Sequence, residues 1–137
     1  MATIFSRIIN GELPGRFVYR DDRVVAFLSI QPMSLGHTLV VPIEEVDQWT
    51  DCDPDLWQHL TDVAQRVGKA VKPVAGTERA ATMVAGFEVP HLHIHVFGAD
   101  DMSGFQLSES AAKRFDDAEL DRAQAEIAAA LGQSDLH

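Results

Sequence analysis

The chain has 137 residues, of which 46% are hydrophobic and 23% are charged. This length and composition are typical of one globular domain with one buried core, and they exclude a largely disordered chain. Eleven basic residues against 21 acidic residues give a formal net charge of −10 at pH 7, so the surface repels a polyanion such as DNA or RNA. We therefore expect a single domain over residues 1–137, one functional site, and no nucleic acid as partner.

Cysteine content and hydropathy indicate the cellular setting. Cys52 is the only cysteine, so the chain can form neither an internal disulfide nor a cysteine cluster for a structural metal. Polar residues interrupt the N-terminal stretch, and no apolar run approaches the roughly 20 residues that span a bilayer. These features predict a cytoplasmic protein with no membrane partner and no obvious export signal.

The first part of the chain predicts a short helical turn and three strands. Helical spacing of the apolar residues Ile4, Phe5, Ile8 and Ile9 indicates an amphipathic turn, which Asn10-Gly11 ends. Runs of apolar residues on either side of a polar turn at residues 21–23 predict strands at 17–20 and 24–30. A third strand is predicted at residues 38–41.

A long helix at residues 53–71 is the clearest prediction. Asp53 is a good N-cap, Pro54 suits the first helical position, and the apolar residues that follow repeat on one face. Pro73 is expected to end this helix. Two further strands, at residues 79–85 and 89–97, are apolar enough to lie inside a sheet.

An amphipathic stripe predicts a C-terminal helix at residues 116–131. The predicted elements therefore comprise five strands, a long central helix, a short N-terminal helical turn and this last helix. Strands and helices do not alternate regularly along the chain. We therefore predict an α+β fold with a five-stranded, mainly antiparallel sheet.

The most informative segment carries three histidines at alternate positions. His91, His93 and His95 are separated by Leu92 and Ile94, and they are half of the six histidines in the chain. Alternate side chains of a strand share a face, so this spacing predicts that the three imidazoles line one side of a strand while the apolar residues are buried on the other. We take this histidine row as the candidate active site.

Two simpler interpretations compete with catalysis. One is a half-exposed strand whose polar positions happen to be histidine, which is less convincing for three residues in register than for one. The other is a metal-binding protein, because imidazole is a common zinc ligand. Neighbours on one strand face stand roughly 7 Å apart, and the segment contains no carboxylate or cysteine. We therefore rank metal binding below catalysis and predict no metal and no cofactor.

A row of imidazoles suits metal-free phosphoryl or nucleotidyl transfer. A neutral histidine is a nucleophile when one ring nitrogen carries the proton and the other presents a lone pair. Neighbouring imidazoles discourage one another from charging, and after an anionic phosphate binds they can stabilise negative charge or protonate a leaving group. The residues themselves favour an enzyme acting on a small phosphorylated ligand.

The histidine row resembles the signature of the histidine-triad (HIT) family, in which three histidines alternate with apolar residues. The matching segment reads Val89-Pro90-His91-Leu92-His93-Ile94-His95-Val96-Phe97. Residues 3–14 resemble the opening segment of the family, and residues 36–42, which contain His37, resemble its first histidine-bearing strand. The matched motifs lie within residues 3–97, so residues 98–137 form a C-terminal extension. The resemblance is closest to the homodimeric nucleoside-phosphoramidase branch.

This resemblance implies a function and a role for each histidine. His93 is implied to be the nucleophile, which forms a nucleotidyl-histidine that water then cleaves. His91 and His37 are implied to orient the nucleophile, and His95 to contact the phosphate and the leaving group. The substrate is implied to be a nucleoside phosphoramidate or a related nucleotide-like molecule, and the protein to be a homodimer.

The resemblance also places a substrate pocket on this sequence. A base pocket is implied for the apolar residues Phe5, Ile8, Phe27, Leu28 and Ile30, which can enclose a purine. Ser29 stands where nucleotide-binding relatives usually have an Asp that holds the ribose hydroxyls. In the phosphate segment Gly86-Phe87-Glu88-Val89, Phe87 replaces an amide side chain that relatives commonly carry. Thr3 and Ser6 stand where some members have cysteines, so no structural zinc of that type is expected.

These departures leave a second interpretation open. Ser29 and Phe87 are the arguments for a nucleotide-binding or interaction module of the same fold with little turnover. A metal-binding histidine cluster is the third interpretation. The sequence leaves open the substrate, the leaving group and the base preference.

Overall fold

The computed structural model describes residues 2–108 and 110–133. Its first half contains one short helix and three strands: α1 (Ile4–Ile9), β1 (Phe17–Arg20), β2 (Val24–Leu28) and β3 (Thr38–Pro42). Thr3 caps α1, because its side chain accepts a hydrogen bond from the Ser6 amide at 3.1 Å. The predicted helical turn and the three strands are therefore present, although β2 ends at Leu28 and not at Ile30.

The second half contains α2 (Pro54–Ala75), β4 (Arg79–Met83), β5 (Ile94–Ala99) and α3 (Asp117–Ala130). Asp53 caps α2 as predicted, but Pro73 does not end this helix. The fixed φ of proline is compatible with helical geometry, and α2 continues to Gly76, whose φ of 68° is the left-handed conformation that commonly ends a helix. Within the described residues, no helix has the length and the hydropathy needed to cross a membrane.

The five strands form one sheet in the order β1-β2-β3-β5-β4, and every neighbouring pair is antiparallel. This architecture confirms the predicted α+β fold. The strand β4 lies at an edge of the sheet and its side chains are exposed or half-buried, so the prediction that it lies inside the sheet is wrong. The methyl groups of Ala80, Ala81 and Thr82 make its sequence apolar, although none of these residues is buried.

The two faces of the sheet pack differently. One face is covered by α2 and α3, which bury apolar side chains such as Val40, Val67 and Ile127. On the other face, Phe5 and Ile9 of α1 cover β1, β2 and β3. Phe105 and Leu107 cover Phe97 and Met33 on the same face. A cleft remains between α1 and the segment that carries Leu107, and its floor is the sheet.

The strand predicted at residues 89–97 begins five residues later, at Ile94. Pro90 has no amide hydrogen, and the amides of His91 and Leu92 donate to the carbonyls of Val89 and Val46 at 2.8 and 2.6 Å. The backbone amides of these residues therefore bond to loops and not to the sheet. Of the three histidines in the row, only His95 lies within a strand.

Candidate active site

Three of the four candidate histidines line one pocket with a volume of about 1030 Å³. His37 directly precedes β3, and His95 lies on β5 opposite Leu39 of β3. This pairing brings Nε2 of His37 within 3.0 Å of Nδ1 of His95. His93 lies beside His95, with 4.9 Å between the centroids of the two rings.

His91 does not line the pocket, so the prediction that all three imidazoles of the row share one open face is wrong. Its side chain is fully buried. Nε2 lies 2.7 Å from the Pro42 carbonyl and Nδ1 lies 2.6 Å from Oγ1 of Thr3. A carbonyl can only accept, so Nε2 carries the proton and Nδ1 accepts from the threonine hydroxyl. His91 thus joins the histidine segment to the end of β3 and to the cap of α1.

This use of both His91 nitrogens also bears on metal binding. A histidine ligand needs a lone pair on one ring nitrogen, and neither nitrogen of His91 has one to spare. Across residues 2–108 and 110–133, no group of three or more His, Cys, Asp or Glu side chains is arranged to hold a metal ion. The geometry therefore does not favour the metal-binding interpretation.

The proton position on His93 follows from one backbone contact. Nδ1 of His93 lies 2.7 Å from the carbonyl oxygen of His91. Because the carbonyl only accepts, Nδ1 must carry the proton, and the lone pair of a neutral ring is then on Nε2. The side chain is only 7% exposed to solvent, but it lines the pocket. A ligand in the pocket therefore meets a histidine that presents a lone pair.

The proton position on His95 follows from a chain of two hydrogen bonds. The Met33 amide donates to Nδ1 of His37 at 3.0 Å, so a neutral His37 carries its proton on Nε2. That Nε2–H donates to Nδ1 of His95, and a neutral His95 must carry its own proton on Nε2. This Nε2–H has no partner among the described residues. His95 thus offers the pocket a hydrogen-bond donor beside the lone pair of His93.

The surroundings keep these rings neutral. Burial, with smaller effects from His95 and His93, lowers the pKa of His37 to about 3. Burial and the adjacent His93 lower the pKa of His95 to about 4. Burial also lowers the pKa values of His93 and His91 below that of an ordinary histidine. Near pH 7 the site is a set of neutral donors and acceptors, as the hydrogen-bond chain requires.

The structure brings all nine predicted substrate-binding residues to the pocket that contains the histidines: Phe5, Ile8, Phe27, Leu28, Ser29, Ile30, Gly86, Glu88 and Val89. Phe5 connects the apolar part of this pocket to His93, because its ring meets those of Phe27 and His93 edge-on at centroid distances of 5.6 and 4.9 Å. Ile30 and Phe87 are 90% and 94% exposed at the pocket surface. The part of the pocket formed by these nine residues is therefore mainly apolar, and it adjoins the histidines.

Sequence reasoning missed two kinds of residue in this site. Thr3 was considered only as a position without cysteine, although its hydroxyl fixes His91. Six residues beyond the HIT signature also line the pocket, in addition to Arg16: Leu107, Lys113, Arg114, Phe115, Leu120 and Asp121. No sequence signal marks them, because exposed charged side chains and isolated apolar ones are common on any surface.

The fold and the pocket define a class: an α+β protein in which a neutral histidine with an available lone pair adjoins a histidine donor at the floor of an apolar cleft. Comparison with known proteins identifies the family. The model of the HIT domain matches residues 10–102, so the chain belongs to the HIT family.

Individual relatives agree with this assignment. An uncharacterized HIT-like protein of Borreliella burgdorferi is 36% identical over 109 residues, which cover 74% of this chain and 78% of the relative. A hypothetical histidine triad nucleotide-binding protein of Sulfolobus tokodaii superposes with a TM-score of 0.78 at 28% identity, covering 93% of this chain and 91% of that one. A HIT family hydrolase of Clostridium thermocellum has a TM-score of 0.61 at 30% identity, covering 73% of this chain and 92% of that one.

Proposed function

We propose that this protein is a metal-independent nucleotide hydrolase or nucleotidyl transferase that cleaves a nucleoside phosphoramidate or a related phosphate bond through His93. The observation that carries the proposal is the hydrogen bond from Nδ1 of His93 to the His91 carbonyl. It leaves the Nε2 lone pair for attack on phosphorus. The solved relatives described as nucleotide-binding and as a hydrolase support the same class of ligand and reaction.

The reaction divides into two displacements at phosphorus. In the first, Nε2 of His93 forms a bond to phosphorus and the bond from phosphorus to the leaving nitrogen breaks, with its electron pair remaining on that nitrogen, which takes a proton from solvent and departs as an amine. In the second, water attacks the nucleotidyl-histidine and loses a proton to solvent, the P–N bond to His93 breaks, and the nucleoside monophosphate leaves. The ring nitrogen receives its electron pair back, so the enzyme is regenerated without a cofactor.

The neighbouring histidines would serve these steps in different ways. The Nε2–H of His95 can donate a hydrogen bond to a phosphoryl oxygen, and His37 fixes that donor through its own hydrogen bond to Nδ1 of His95. His91 acts only as a positioning residue, because its side chain does not reach the pocket. Phe5, Ile8, Phe27 and Leu28 form an apolar enclosure suited to a base, beside Ile30 at the surface.

The covalent intermediate provides the test. Wild-type protein is mixed with adenosine 5′-phosphoramidate, quenched rapidly without acid, and its intact mass is measured. We expect an adduct of one adenylyl group that is absent from His93→Ala, together with loss of AMP release in that variant. His59→Ala is the matched control, because His59 lies on α2 outside the pocket. Undiminished turnover by His93→Ala would reject the proposal.

A nucleotide-binding module with little turnover is the second candidate. The side chain of Phe87 is almost fully exposed at the pocket and has no donor for a phosphate. Calorimetry separates the two functions: a module binds AMP and adenosine phosphoramidate without releasing product, whereas the enzyme consumes the phosphoramidate.

We also propose that the protein is a homodimer. The edge strand β4 has exposed or half-buried side chains and is paired with β5 on one side only. Sheets commonly extend by pairing such edges. Sedimentation velocity at micromolar concentration should give a species of twice the 15.1 kDa chain mass. A monomer throughout that range would contradict this assignment.

A further inference from the structure

One wall of the pocket comes from a part of the chain beyond the region that matches the family. The HIT domain match ends at residue 102. Lys113, Arg114 and Phe115 follow it and line the pocket, as does Asp121 of α3. This wall is therefore not implied by membership in the family, and it is a place where the substrate preference of this particular protein can be set.

Backbone hydrogen bonds hold this wall beside residues 28–32, which form the adjoining part of the pocket. The amide of Lys113 donates to the carbonyl of Pro32 at 2.8 Å. At the other end of residues 28–32, the amide of Leu28 donates to the carbonyl of Arg16 at 3.0 Å. Basic residues therefore flank the segment that contains Ser29 at both ends.

The charges of these basic residues are used differently. Arg16 forms ion pairs with Asp117 and Asp121, both at 3.0 Å. Lys113 and Arg114 form no ion pair within residues 2–108 and 110–133. Both cations thus line the pocket of a protein whose formal net charge is −10, and their charges remain available to a ligand.

The free acceptor capacity of the same wall is low. The hydroxyl oxygen of Ser29 accepts a hydrogen bond from the Gln31 amide at 3.1 Å, residues 28–32 include no carboxylate, and the Asp121 carboxylate is paired with Arg16. This part of the pocket therefore offers cations to a ligand, and the carboxylate in its wall already binds an arginine. An anionic substituent is better suited to it than a neutral diol.

We propose that Lys113 and Arg114 select a substrate with a second phosphate group, in addition to the phosphate that His93 attacks. The inference rests on the proposed function. The second phosphate belongs either to a phosphorylated sugar or to an extended phosphate chain. In both cases the lysine and the guanidinium donate charge-assisted hydrogen bonds, and arginine can bind phosphate through two parallel N–H groups.

Isothermal titration calorimetry with three stable nucleotides tests the preference without any turnover. The probes are AMP, adenosine 3′,5′-bisphosphate and ADP, titrated into wild-type protein in a metal-free buffer. We expect at least one of the two doubly phosphorylated nucleotides to bind about tenfold more tightly than AMP. Preference for the 3′,5′-bisphosphate identifies a phosphorylated sugar, and preference for ADP identifies a phosphate chain.

A charge-matched pair of variants assigns the preference to this wall. The double variant Lys113→Gln/Arg114→Gln should reduce the preference for the doubly phosphorylated nucleotide over AMP to about threefold or less. Arg23→Gln/Lys72→Gln removes the same formal charge at exposed positions outside the pocket and should retain the full preference. Thermal unfolding of both variants checks that the fold is intact.

The outcomes separate this inference from the proposed function. If AMP binds and His93 forms its adduct, but the doubly phosphorylated nucleotides bind no better than AMP, the inference is wrong and the proposed function stands. An equal loss of preference in both double variants would also reject it, because the effect would then arise from net charge. If no nucleotide binds and no adduct forms, both are rejected.

Discussion

Nδ1 of His93 donates to the main-chain carbonyl of His91 at 2.7 Å, so the backbone of one histidine sets the proton position on the next. The side chain of His91 in turn fixes this backbone, because its two ring nitrogens are bonded to Pro42 and Thr3. The orientation of the proposed nucleophile therefore depends on a hydroxyl group at the start of α1, outside the pocket.

Thr3→Val should lower both the stability and the catalytic rate. The substitution leaves Nδ1 of the buried His91 without a donor and removes the side-chain cap of α1. We expect the free energy of unfolding to fall by about 1–3 kcal/mol. We expect kcat to fall more than KM rises, because the change acts on the orientation of His93. Urea denaturation and steady-state kinetics measure these effects.

Thr3→Ser is the matched control, because it retains the hydroxyl and the cap. It should remain close to wild type in both measurements. If the valine variant lost stability with no change in kcat, Thr3 would have a structural role only, and the connection to His93 would be wrong.

The acid limb of the pH–rate profile should lie below pH 6.5. Burial lowers the pKa of His93 from the ordinary value of 6.5, and attack on phosphorus requires the unprotonated ring. Activity should therefore be half-maximal at a pH below 6.5, as Nε2 becomes protonated. The measurement is kcat/KM for adenosine phosphoramidate, corrected for spontaneous hydrolysis at each pH. A half-maximal point at or above pH 6.5 would contradict this assignment.

Protein stability should also decrease in acid, and His37 should account for part of the loss. The pKa of His37 is lowered by burial to about 3, against 6.5 for an exposed histidine. Between these values the unfolded chain binds a proton that the folded chain does not, so stability falls as pH falls through this window. The slope is at most about 1.4 kcal/mol per pH unit for one such histidine.

Chemical denaturation at pH 7 and pH 5 tests this linkage. His37→Gln keeps an acceptor for the Met33 amide and removes the titrating ring. It should therefore lose less stability than wild type over this interval, although it starts from a lower value at pH 7. Carboxylates contribute equally to both proteins, so the difference isolates His37. Equal losses would show that His37 is not the group responsible.

The fold was largely predictable because its signals are local. The cap and the apolar stripe of α2 and the turns between strands are features of neighbouring residues. The errors occurred where tertiary contacts decide the structure. Pro73 lies inside a helix that ends at Gly76, and the amides of His91 and Leu92 bond to loop carbonyls although the alternating pattern of this segment is typical of a strand.

The site was predictable in its membership but not in its hydrogen bonds. Alternation of histidine and apolar residues marked a segment whose His93 and His95 line the pocket, because a row of three imidazoles is uncommon by chance. It could not show that His91 faces the cap of α1 and that the Met33 amide fixes the proton on His37. The first contact joins residues that are distant in sequence, and the second uses a backbone amide, which almost every residue carries, so neither leaves a side-chain pattern.

Ser29→Asp should convert a weak ribose contact into a strong one. An aspartate can accept hydrogen bonds from both ribose hydroxyls while still accepting from the Gln31 amide, which now bonds to the serine hydroxyl. A hydrogen bond to a charged group contributes about 1.5–3 kcal/mol, against about 1 kcal/mol for a neutral pair. The KM for adenosine phosphoramidate should therefore fall by about tenfold.

The 2′,3′-dideoxy analogue, which lacks both hydroxyls, should show no such improvement. Ser29→Asn provides a control of similar shape without the charge, and its KM should remain near that of wild type. An unchanged KM in Ser29→Asp, or an equal improvement with the dideoxy analogue, would show that residue 29 does not contact the sugar.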